Sequence, residues 1–140
     1  MAPSSGKRQA ATMLPTRAEL PILQVLWELG QGTVEDMVRG LRSSPPANYK
    51  TVQTLLRIME QKGFVRHHAR GRVFVFEPLV TREEVGGLSV RNLLQQTFRG
   101  SPTELLMNLL EGNPVDASEL DELEALIRRY RTQRRPHSAE

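Results

Sequence analysis

The 140-residue sequence predicts a mainly α-helical protein with one small β-hairpin. Three observations carry that expectation. Amphipathic segments with a capping residue in front and a glycine or proline behind recur along the chain. One stretch, residues 64–77, instead gathers β-branched and aromatic residues on either side of "ARGR". After it, apolar residues return to helical spacing.

Thr16 with Glu19 three residues on has the form of a capping box. Leu20, Leu23, Leu26 and Trp27, with Ile22 and Val25 beside them, carry the first helix to about Leu29, and Gly30 and Gly32 end it. Pro21 removes a backbone donor, so the first turn is expected to be kinked or the regular helix to begin nearer Leu20. Thr33 opens a second helix with Asp36 at its third position, where a carboxylate suits the helix dipole. "SSPPAN" interrupts the helical pattern. Asn48 then caps a third helix, which Gly63 stops after about Lys62. "FVRHH" and "VFVFE" read as two strands with Gly71 in the turn, and Pro78 closes the second. Thr81 with Glu84 caps another helix, weakened by Gly86 and Gly87. Ser101, Pro102 and Glu104 start the next. A last helix begins near Asp116 and frays from about Thr132.

The third helix has two different sides. On a wheel at about 100° per residue, Val52, Leu55, Leu56 and Met59 form an apolar face. Lys50, Gln53, Thr54, Arg57 and Gln61 lie opposite, with the acid Glu60 only at the edge. Arginine and lysine bond guanine, glutamine bonds adenine, and threonine suits either or a thymine methyl. Net charge is only +3, but its distribution is uneven. From Arg42 to Arg72 there are seven basic residues against one acid. That density inside a folded segment is the footprint of a polyanion. Helix, helix, helix, hairpin is the order of a winged helix-turn-helix, in which the third helix enters a DNA groove and the wing lies on the backbone. Expected DNA contacts are Tyr49, Lys50, Thr51, Gln53, Thr54 and Arg57 on the helix, with Arg66, Arg70 and Arg72 on the wing.

Other classes find little support. Without cysteine there are no disulfides or thiolate metal sites, which fits a reducing, cytoplasmic setting. No run approaches the roughly 20 apolar residues of a membrane span. The first residues, "MAPSSGKRQAATM", lack the apolar middle of a secretory signal and read as a flexible arm. Adjacent His67 and His68 point to opposite faces of a strand, so they read as wing-surface residues that meet phosphate, not as a metal pair. Nothing resembles a nucleophile beside a base or a Gly-rich phosphate loop, so neither an enzyme nor a cofactor is expected.

The order "LPILQVLWELGQGTVEDM", "YKTVQTLLRIMEQKGFVRHHARGRVFVFEPLVTREEV", "GSPTELLMNLLEG" resembles the penicillinase-repressor family, the BlaI/MecI group with its copper-responsive CopY relatives. The resemblance runs from about Leu14 to Arg131. It implies an N-terminal winged helix, a C-terminal helical dimerisation segment and a dimeric repressor of palindromic operators. Lys50, Thr51 and Thr54 match the family's recognition-helix residues, and the Arg-Gly-Arg tip matches its wing. The family often has Thr-Arg where this chain has Arg57-Ile58, which turns the arginine about 100° around the helix. The C-terminal cysteines of the copper-responsive members are absent. Resistance regulators of the family are cut by a sensor-protease system, commonly between Asn and Phe. The matching bond here is Asn108–Leu109, where the residue after the asparagine differs from the family's; the alternative reading of this stretch is a buried dimer-interface helix.

The C-terminal helices carry apolar stripes that need a partner. A second copy is the economical one, and a twofold dimer suits a twofold operator. Expected dimer contacts are Leu94, Phe98, Leu105, Leu106, Leu109, Leu120, Leu123 and Ile127. The expected layout is a flexible arm over 1–13, a winged-helix DNA-binding domain over 14–80, a helical dimerisation segment over 81–131 and a flexible tail over 132–140. Double-stranded operator DNA, a second copy and a sensor protease are the expected partners, with no membrane. The alternative is a winged-helix module that docks proteins without reading DNA, and salt dependence of DNA binding separates the two.

Overall fold

The computed structural model describes residues 12–43 and 45–138, with side chains to Gln133. Nearly all of the arm expected over 1–13, and the end of the tail expected over 132–140, lie outside the described residues. The elements are α1 (Glu19–Leu29), α2 (Val34–Leu41), α3 (Tyr49–Lys62), β1 (Val65–Arg70), β2 (Val73–Pro78), α4 (Arg82–Thr97), α5 (Pro102–Gly112) and α6 (Ala117–Ser138). The chain divides into two units, with the boundary after Leu93, inside α4.

Local capping chemistry sets most helix starts. The Thr16 N–H donates to Glu19 Oε1 at 2.9 Å, and the Glu19 N–H returns to Thr16 Oγ1 at 3.2 Å. Regular helix follows at Glu19, so Pro21 sits in the first turn, where intrahelical donors are missing anyway. Thr33 and Asp36 form a reciprocal box at 3.1 and 2.9 Å. The backbone N–H of Thr33 foremost, with its hydroxyl and Arg39, holds the Asp36 carboxyl below its ordinary value of 3.8, against desolvation that works the other way. A lowered folded value means the box stabilises above the ordinary value and loses its effect as pH falls through the lowered one. Asp36→Ala is therefore expected to cost about 1 kcal/mol near neutrality, with the difference from the parent vanishing in urea titrations run in strong acid.

The first unit holds the core. Ile22, Leu23, Val25 and Leu26 of α1 meet Val34 and Met37 of α2 and Val52, Leu56 and Met59 of α3. Phe64, Val65, Phe76, Val80 and Val85 complete the cluster. Gly40 lets α1 and α2 close on each other, since a Cβ there would lie 2.6 Å from Val25 Cγ1. Three long-range links tie the ends together. Trp27 Nε1 donates to the Val80 carbonyl at 2.9 Å, with Arg82 over the indole. Lys62 Nζ donates to the buried Glu19 at 2.8 Å. Gly32 bridges Phe76, which adds a single residue to the edge of the hairpin.

The hairpin is longer than its sequence pattern suggests. β1 and β2 pair antiparallel from Val65↔Pro78 to Arg70↔Val73. The turn is therefore two residues, Gly71-Arg72, with Gly71 at φ 64°, as the first central position of a tight hairpin turn requires. Phe64 is wholly buried ahead of the strand, and Pro78 is the last residue of β2 instead of a stop beyond it.

The second unit comprises the end of α4, α5 and α6. Ser101 caps α5 through the Glu104 N–H at 3.2 Å, with Pro102 at the first helical position. α6 runs to Ser138, past the fraying point expected near Thr132. No described side chain from Leu94 onward is buried. Among the described residues, no helix is long and apolar enough to cross a membrane.

Candidate nucleic-acid interface

The interface is built on α3. Asn48 fixes its start by accepting from the Lys50 N–H at 2.8 Å and the Thr51 N–H at 3.2 Å. Val52, Leu56 and Met59 are 2%, 0% and 0% exposed, which anchors one side in the core. That anchoring turns Tyr49, Lys50, Thr51, Gln53, Thr54 and Arg57 outward, and all six are exposed. Tyr49 and Gln53 lie on the flank nearer the wing, where with Arg72, Val73, Phe74 and Phe76 they line a groove of about 450 Å³. Thr33, Val34 and Glu35, at the start of α2, also line it.

The wing carries Arg70 at the end of β1 and Arg72 in the turn, both exposed. Among the described residues, Lys50, Arg57, Arg70 and Arg72 have no carboxylate partner. Arg66 differs. Its Nε is ion-paired with Glu77, its cross-strand neighbour, so its charge is already partly answered. His67 also departs from the surface reading of the wing histidines. It is half-buried, bonded to Glu60 of α3 and stacked on Phe74, whereas His68 is exposed. The pairing with Glu60 crosses from helix to strand, and no local rule marks it. It also removes the one acid bordering the outward face of α3 from free solution.

In the second unit, Leu94, Phe98, Leu105, Leu106 and Leu123 are half-buried, and Leu109, Leu120 and Ile127 are exposed. Leu109, Leu110, Val115, Leu123 and Leu126 line an apolar groove of about 460 Å³ between α5 and α6. Met107 and Leu126, absent from the expected set, are 48% and 39% exposed. Leu126 stands three residues after Leu123 and Met107 three before Leu110, so both keep helical spacing to a leucine although the expected set left them out. Asn108 lies in the middle of α5 and donates from Nδ2 to the Glu104 carbonyl at 2.9 Å.

Three core-sharing helices with a two-stranded wing and an outward polar α3 define a winged helix-turn-helix protein. A model of the family described as penicillinase repressor matches residues 15–129, and the chain belongs to that family of transcriptional repressors. It is 25% identical to the penicillinase repressor of Bacillus licheniformis over 84% of this chain and 92% of that one. It is 19% identical to the methicillin resistance regulatory protein MecI of Staphylococcus aureus, over 79% of this chain and 89% of that one. Among solved structures, the monomeric form of B. licheniformis BlaI in complex with the blaP half-operator aligns at 29% identity, covering 52% of this chain and 89% of that one, with a TM-score of 0.44.

Proposed function

We propose that the protein is a cytoplasmic, sequence-specific DNA-binding repressor that acts as a homodimer on a palindromic operator. In this reading α3 lies in the major groove and the wing tip lies on the adjacent backbone. The observation that carries it is the unanswered cationic and amide-bearing surface: Lys50, Gln53, Thr54 and Arg57 on α3, continued by Arg70 and Arg72. A helix about 10–12 Å across fits a major groove about 12 Å wide.

Titration of duplex DNA selected from a random pool tests this. Affinity should fall with salt at a log–log slope of about −0.9 per phosphate neutralised. Arg57→Ala should cost about 1–3 kcal/mol and relax the preference at the base it reads. Arg70→Ala or Arg72→Ala should weaken all sequences alike and reduce the salt slope by about 1. A protein-docking module would show none of these effects.

The homodimer is supported by the second unit's lack of any buried side chain among its described residues. Exposed apolar surface of that extent calls for a partner. Two copies related by a twofold would address half-sites about one helical turn apart. Selection of single, unpaired sites from the pool would count against pairing. A sensor protease acting at Asn108–Leu109 is the release route implied by the family resemblance. Because that bond sits within α5, the helix must open locally before it can be cut.

A further inference from the structure

The hairpin is tied to the first unit through Val65, Phe76 and the Gly32–Phe76 bridge, and its tip at Gly71-Arg72 lies beyond all three. One polar contact crosses from α3 to β1 at His67, the residue paired with Phe76. The His67 backbone N–H donates to Glu60 Oε2 at 3.3 Å. His67 Nδ1 lies 2.8 Å from both Glu60 oxygens. A carboxylate only accepts, so Nδ1 carries the proton and donates. The imidazole also stacks on Phe74, with ring centres 4.2 Å apart and 28° between planes. Phe74 pairs with Ala69, immediately before Arg70. Glu60 is three residues from Arg57 on the same helix. One carboxylate therefore joins the helix carrying the base-reading candidates to the strand leading to the wing arginines.

We propose that Glu60 and His67 are positioning residues that fix the wing's angle against α3, so that Arg70 and Arg72 reach phosphates beside the bases α3 reads. This rests on the DNA-binding reading above. Neither residue touches DNA in this scheme. Glu60 carries the wrong charge for that, and His67 is engaged on both its ring face and its edge. The sign of the effect is diagnostic. Removing an acid from a DNA-facing surface ordinarily tightens binding, because the local potential becomes more positive. Loss of this latch weakens binding instead.

The test is a set of double-mutant cycles on the full chain, read by fluorescence anisotropy with a selected duplex and an unrelated one. Glu60→Ala suits the cycle because alanine favours a half-exposed helix position. His67→Phe keeps a ring to stack on Phe74 while removing the side-chain bond to Glu60. In the parent, Arg72→Ala should weaken binding roughly tenfold, as for loss of a charged hydrogen bond. In either latch variant the same substitution should cost less than twofold. Each latch variant alone should bind both duplexes more weakly and flatten the salt slope by about 2, as two wing contacts are lost. The base preference tested by Arg57→Ala should persist. A merely structural role would lower the melting temperature and leave the Arg72 penalty and the slope intact. Full additivity, or tighter binding by Glu60→Ala, overturns the latch alone. A parent that shows no salt-dependent duplex binding overturns the DNA-binding reading and the latch with it, and that outcome is seen before any variant is made.

Discussion

A chain carrying Leu109→Asp and Leu123→Asp is expected to bind a palindromic operator roughly 10²–10⁴-fold more weakly than the parent, the range that linking two sites ordinarily contributes. Binding to an isolated half-site should be nearly unchanged. Both leucines line the apolar groove of α5 and α6, and Leu109 is 48% exposed in the single chain. A carboxylate at exposed position 109 is readily hydrated in a monomer, and at neither position would it find a counterpart in an apolar contact between copies. The substitutions should therefore disfavour assembly without disturbing the first unit, which contains neither residue. Sedimentation should show a monomer at tens of micromolar, and circular dichroism should show the winged unit intact. A variant that still sediments as a dimer and holds the operator like the parent would rule out this surface as the contact.

The largest effect on stability is expected at the pair between α1 and α3. Glu19 is 1% exposed. One of its oxygens accepts from the Thr16 N–H at 2.9 Å and the other from Lys62 Nζ at 2.8 Å. The lysine side chain remains 31% exposed, so its charge keeps part of its hydration. The two halves of the pair are thus unequal. Lys62→Met strands a buried carboxylate with one donor and should cost about 3 kcal/mol, the low end for breaking a buried pair. Glu19→Gln leaves the lysine near solvent and should cost less. The double variant should cost less than the sum, because the stranded charge is gone. In urea the midpoint should fall with little change in slope. Equal costs for the two single variants would show that solvent exposure does not decide the energetics here.

Element identities were legible because their causes are local. The Thr16/Glu19 and Thr81/Glu84 pairs, the caps Thr33, Asn48 and Ser101, and the stop at Gly63 each act within four residues of where they are written. All form the bonds their spacing implies. The outward placement of Gln53 and Arg57 followed from the apolar period alone, because burying Val52, Leu56 and Met59 leaves the opposite side no other direction. What escaped has a different origin. Glu19 reads as a capping residue, and nothing near it announces Lys62, 43 positions away. Trp27 reads as core, yet its N–H finds Val80 across 53 positions. His67 reads as a wing-surface residue until helix and strand are placed side by side and Glu60 falls within reach. The bridge between Gly32 and Phe76 likewise depends on the fold closing first. Hairpin ends were misjudged by one or two residues because alternation marks a strand's faces better than its limits.

Concentrating the buried side chains ahead of Leu94 has a bearing on how such a regulator could be switched off. A break in the peptide chain within α5 removes nothing from the interior that holds α1, α2, α3 and the hairpin together. The severed N-terminal piece would keep its shape and its affinity for a lone half-site. If the protein acts as the proposed homodimer, inactivation by that route would be an uncoupling of two intact readers, and its completeness would depend on how dilute the fragments are in the cell.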